Sequence, residues 1–102
     1  NNLPEAVKTL VDSGAVVDHQ TAKGFTALIR AAEADAPEAI FQLKAMGARF
    51  DFEADAGLTA LIAAAKLGKL RAIQQLAALG ATLDYENLAR QTALVVAAEA
   101  GN

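Results

Sequence analysis

The chain has 102 residues, a formal net charge of −3, 54% apolar residues and no cysteine. That length suits one small domain, and the missing cysteines exclude disulfides and thiolate chemistry and leave only a cytoplasmic default for compartment. The acidic balance argues against nucleic acid or an anionic membrane as partner; no apolar run nears the ~18 residues of a membrane span, and NNLPEAVKTL lacks a signal peptide's basic-then-apolar layout.

Residues 1–20 read as the back half of a repeat. Pro4 suits the first position of a helix. Val7, Leu10 and Val11 give an apolar stripe, and Gly14 stops the helix before a loop, Ala15 to Gln20. Residues 21–53 form a full repeat. Thr26 opens a helix to about Glu33, Ala34 to Ala36 turn, and Pro37 starts a second helix with Ile40 and Leu43 inward, ended by Gly47. Residues 54–86 form another. Thr59 caps a helix that Gly68 breaks, and a second helix runs from about Leu70 to Leu79. Its expected apolar face is Leu70, Ile73, Leu76 and Ala77. Gly80 fits the left-handed stop. Residues 87–102 supply a front half: a loop to Gln91, then a helix from Thr92 to about Ala100.

The punctuation is periodic. GFTALIRAA begins at Gly24, GLTALIAAA at Gly57 and RQTALVVAA at Arg90, each 33 residues after the last. Gly14, Gly47 and Gly80 keep the same spacing, as do Pro4 and Pro37. Each helical hairpin has an apolar seam that it cannot bury alone, so a fixed period of this size means a solenoid.

Gly-x-Thr-x-Leu-x-x-Ala-Ala, a turn, a second helix with Leu, then Gly-Ala, all at this period, resembles the ankyrin repeat along essentially the whole chain. The resemblance implies an all-α, ankyrin-type helix-loop-helix solenoid, about three 33-residue repeats starting and ending mid-repeat. It also implies projecting hairpin-like loops at about Val17–Gly24, Phe50–Gly57 and Leu83–Arg90. Three departures carry expectations. Ile29, Ile62 and Val95 replace the family's histidine, which makes the seams drier. Arg90 replaces the loop glycine, so if that position needs a positive φ either Arg90 is strained or the last loop is built differently. Lys44 stands where Val11 and Ala77 are expected to face inward, so its stem must snorkel.

The catalytic inventory is thin. Ser13 and His19 are the sole serine and histidine and fall in one half-repeat, at a helix end and in a loop. Asp18, Asp51 and Asp84 recur at one repeat position, which reads as turn stabilisation. Asp18 and His19 lack further ligands at metal-site spacing, and every glycine serves the repeat. The expectation is no enzyme, no cofactor and no metal. Lys66 aligns with Glu33 and Glu99, and Arg71 with Glu38 and Glu5, which sets opposite charges across the seams; Lys66, Lys69 and Arg71 also make a basic spot.

What remains is surface. Phe52 and Tyr85 share a repeat position with His19 and predict a short ladder beside the loops; Phe25, Leu58 and Gln91 form a second series. By the resemblance, loop tips and first helices form a concave face that binds a protein. The matching positions are Ala22, Lys23, Phe25, Glu33 and Ala34, then Asp55, Ala56, Leu58, Lys66 and Leu67, with Phe52 and Tyr85 beside them. Phe41, aligned with Lys8 and Gln74, points outward on the opposite face. The alternatives are a structural element that docks or self-associates end to end through its exposed half-repeats, and part of an enzyme whose active site lies in another domain.

Overall fold

A threonine opens each of three helices. Thr26, Thr59 and Thr92 hold extended backbone, and each Oγ1 accepts from the amide three residues on, Ile29, Ile62 and Val95, at 3.3, 3.2 and 3.3 Å. An N-cap of this kind satisfies an otherwise orphaned helical donor and stabilises by about 1 kcal/mol. The helices that follow are α1 (Ala27–Glu33), α3 (Ala60–Leu67) and α5 (Ala93–Ala100). Between them stand α2 (Pro37–Ala45) and α4 (Leu70–Ala78). This is a computed structural model, and it describes residues 19–50, 52–54, 57–82, 85–87 and 90–101. Ser13 and Asp18, Asp51 and Asp84 lie outside the described residues, as do the stripe Val7, Leu10 and Val11 and the positions Asp55 and Ala56.

Both second helices stop the same way. Ala48 N–H donates to Leu43 O and Gly47 N–H to Lys44 O, both at 3.0 Å; Ala81 donates to Leu76 O at 3.0 Å and Gly80 to Ala77 O at 3.1 Å. This paired closure is the Schellman motif, and it fixes where the chain leaves the helix. The helices form two layers. First helices α1, α3 and α5 lie side by side; α2 and α4 lie behind α1 and α3, and α4 also touches α1. Leu28, Ile29, Ile40, Ile62 and Leu76 are the largest fully buried side chains. Alanines fill the space between them, among them Ala32, Ala39, Ala63, Ala64 and Ala72. Small side chains let the helices approach closely, and Ala keeps their intrinsic propensity high. The expected dry seams are present where Ile29 and Ile62 replace histidine, since both are buried.

One expected face is turned. On α4 the buried residues are Ala72 and Leu76, while Leu70 and Ala77 are exposed and Ile73 is half-buried. Their counterparts Ala39 and Leu43 are the buried pair on α2, with Ile40. The close approach to the first helix selects a small residue, so Ala72 outranks the bulkier Leu70. Ala77 therefore does not mark an inward position, and Lys44 is not forced into the core. Its half-buried stem lies by Phe50, with Nζ 4.2 Å from the ring centroid and donating to Ala48 O at 3.1 Å.

The turns between first and second helices need a left-handed residue. Gly68 (φ 68°) and Gly101 (φ 80°) supply it after α3 and α5. After α1 the same repeat position is Asp35, with φ 54°. Its Oδ1 accepts from Ala72 N at 2.8 Å, in the first turn of α4. Lys69, at the start of α4, makes no side-chain cap. Asp35 thus caps a helix of the following repeat, a role the sequence reading missed.

The loops repeat too. Thr21, Ala54 and Asn87 each donate N–H to the carbonyl four residues on, at 2.9, 2.8 and 2.9 Å. Gly24, Gly57 and Arg90 close the turn by donating back to them, at 2.8, 3.0 and 2.9 Å. The third turn has the geometry of the other two, so Arg90 adopts φ 63° where glycine stands elsewhere. The expected strain is real.

Candidate functional site

The face built by first helices and loop turns carries most of the nominated residues. Lys23 is exposed at the first turn, with Ala22 beside it. Phe25 is half-buried, and the Arg30 guanidinium covers its ring at 3.7 Å from the centroid. Arg30 also reaches Glu33 Oε1 at 2.9 Å. The two residues stand at i,i+3, neighbours on one face of the helix. Leu67 and Lys66 are exposed at the end of α3, and Leu58 is half-buried at its start. Phe25 and Leu58 both pack against the core, so they seal the turns onto the helices while keeping an edge in solvent.

Between α3 and α5 the face opens into a groove of about 370 Å³. Its lining is Leu58, Ile62, Lys66, Gln91, Val96, Glu99 and Ala100. Ile62 and Val96, both buried, make the floor. The groove brings Leu58 and Lys66 together and adds Gln91, Val96, Glu99 and Ala100, which were not nominated. The signal for Gln91 was its place in the series with Phe25 and Leu58.

The aromatic pair sits elsewhere. Tyr85 lines a cavity of about 40 Å³ with Phe50, Thr59, Leu61, Ala81 and Thr82. Its hydroxyl donates to Glu53 Oε2, so a neighbour of Phe52 engages it. Phe52 is half-buried with the Arg49 guanidinium 5.5 Å from its ring centroid. His19 is exposed. On the opposite face Phe41 is exposed, as expected, and lines an open depression with Pro37, Glu38, Gln42 and Gln75. Glu38 and Arg71 pair there at 4.0 Å, both largely in solvent, where such a pair contributes about 0–1 kcal/mol.

Asn87 holds the second and third turns together. It is buried, its Nδ2 donates to Gly57 O at 2.9 Å and to Gln91 Oε1 at 3.2 Å, and its Oδ1 accepts from Gln91 N at 2.9 Å. A Cβ on Gly57 would stand 2.5 Å from that Nδ2. Glycine is needed there for the close approach as well as for its φ of 73°.

The family model for ankyrin repeats, in three copies, matches residues 1–87. The chain belongs to the ankyrin-repeat family. A comparison with curated proteins gives no match. Ankyrin repeats are in general protein–protein interaction modules and typically non-catalytic. Among the described residues no three His, Cys, Asp or Glu side chains gather where they would hold a metal ion. No described helix of this ankyrin array is long and apolar enough to cross a membrane.

Proposed function

We propose that the chain is a protein-binding module without chemistry of its own, engaging its partner through loop tips and first helices. The contact residues are Lys23, Phe25, Glu33, Phe52, Asp55, Leu58, Lys66, Leu67 and Tyr85. The observation that supports this best is the groove between α3 and α5, with an apolar floor, polar rim and two of those residues in its wall. A surface fixed by caps and core packing loses little entropy on binding. The test is a partner captured from the source cell and titrated against variants. Leu58→Arg is expected to weaken binding by about 1–2 kcal/mol or more with the helical spectrum intact, and Tyr85→Ala to act in the same direction. Loss with Phe41→Ala alone would move the site to the opposite face.

A second reading, a structural element docking end to end on other repeats, is favoured by one observation. Leu94 is 79% and Val95 46% exposed on α5, whereas the same repeat positions are 1% and 1% exposed in Leu28 and Ile29, and 6% and 2% in Leu61 and Ile62. Sedimentation of the chain over a wide concentration range tests it: association that Leu94→Arg abolishes supports docking through this face, and a monomer throughout refutes it.

A further inference from the structure

The two seams between first helices differ in what fills them. The groove is lined by Leu58, Ile62 and Lys66 from one repeat and Gln91, Val96, Glu99 and Ala100 from the next; the same repeat positions one period earlier are Phe25, Ile29 and Glu33, then Leu58, Ala63, Lys66 and Leu67. Moving from first to second, phenylalanine becomes leucine, a leucine becomes a polar glutamine, and Leu67 becomes Ala100. Two positions grow: Ala63 becomes Val96, which is buried in the floor, and Glu33 becomes Lys66, which is exposed. The second seam therefore loses a ring on one wall and an isobutyl group on the other. The groove of about 370 Å³ lies where those groups are missing, near the lower end of the volumes of ligand pockets, about 300–1,000 Å³.

We infer that this groove is the anchor pocket of the site: it takes one large apolar side chain from an uncharged, exposed peptide segment of the partner protein. The inference rests on the protein-binding reading and adds the partner's chemistry. Ile62 and Val96 offer the anchor an apolar floor, and burying it there supplies the contact energy. Gln91, at the turn end, presents an amide that can donate to and accept from a peptide backbone. Lys66 on one wall and Glu99 on the other are the charged residues of the lining, one of each sign. Their fields offset, so the rim selects no net charge, and shape sets the preference. Binding is then weakly dependent on salt, because few counterions are displaced or screened.

The experiment is selection of random short peptides displayed on phage against the immobilised chain, with every enriched peptide also titrated against a variant carrying Leu58→Phe and Ala100→Leu. Those residues stand at the same positions one repeat earlier, as Phe25 and Leu67, and an unchanged helical spectrum of the variant checks that the fold accepts them. The expected result is a set of peptides sharing one large apolar residue among uncharged neighbours. They bind the filled variant about 10-fold more weakly or worse, as for loss of one buried anchor. They also shift the methyl resonances of Ile62 and Val96 in the parent. Peptides that bind parent and filled variant equally but are weakened by Phe25→Ala or Lys23→Ala would overturn the anchor pocket and leave the protein-binding face standing. Enriched peptides that are strongly charged and released by salt would do the same. Peptides lost only with Phe41→Ala, or no enrichment at all, would count against both.

Discussion

Asp35 tests how one repeat sets the next. Its left-handed backbone, φ 54°, occupies a position that glycine fills in the two later turns, and for an L-residue that conformation costs about 1–2 kcal/mol, least for Asn and Asp. Against that cost stands a carboxylate that accepts from Ala72 N at 2.8 Å. A hydrogen bond to a charged group contributes about 1.5–3 kcal/mol, and the first turn of α4 has no other acidic residue to meet its dipole. The half-exposed setting places the bond toward the lower end. Asp35→Gly removes both strain and bond, so a net loss of about 0.5–1.5 kcal/mol is expected. Asp35→Ala loses the bond and deepens the strain, because alanine tolerates the left-handed backbone less well than aspartate, for about 2–3 kcal/mol. Asp35→Asn keeps an acceptor and tolerates the backbone, and should cost under about 1 kcal/mol. Urea melts measure the three, and hydrogen exchange at the Ala72 amide reports the bond itself. If Asp35→Gly is as stable as the parent and Ala72 exchanges no faster, the cross-repeat cap carries no weight and the reasoning fails.

The core and the surface pairs should separate cleanly in the same melts. Leu61→Ala is expected to cost about 2–5 kcal/mol through the cavity it leaves, and Glu38→Gln or Glu33→Gln under about 1 kcal/mol; comparable losses would contradict that order. Gly57→Ala drives a Cβ against the Asn87 amide and should destabilise by about 2–3 kcal/mol, combining left-handed strain with a lost bond. Arg90→Gly relieves a φ of 63° at the same repeat position and should be neutral or stabilise by up to about 1 kcal/mol. Thermal melts that rank these two glycine exchanges the other way would show that the turns are not equivalent.

The repeat was legible because it is written in local chemistry. Threonine caps, Pro37, and the glycines at fixed spacing each act within a few residues, so reading them needs no knowledge of neighbours. Arg90 was legible for the same reason: a turn position occupied by glycine in two repeats constrains the third. Contacts across repeats were harder. The Asp35 bond joins residues 37 apart, and its turn read as a plain connection between Ala34 and Ala36. The clue was its alignment with Gly68 and Gly101. On α4 the pattern favoured large apolar residues, whereas the closeness of the paired helix makes Ala72 the inner residue. The groove depended on comparing two seams residue by residue, since no single helix contains it.

The turns are not tied to one another equally. Asn87 binds Gly57 O, and Tyr85 binds Glu53, so two side chains from the third loop clasp the second. Ala54, at the place of Asn87 one repeat earlier, has no side-chain donor to give the first loop. Gly24 O is served instead by Gln20 of its own loop at 2.9 Å, and the same Nε2 reaches Glu53 O only at 3.5 Å. Among the described residues the two joints therefore differ in kind: side chains tie the third loop to the second, whereas backbone packing seats the first on the second, where a Cβ on Gly24 would stand only 3.0 Å from Ala54 Cα and 3.1 Å from Glu53 O. A single substitution can remove a side-chain tie, but a joint made of backbone survives any exchange that keeps its glycine.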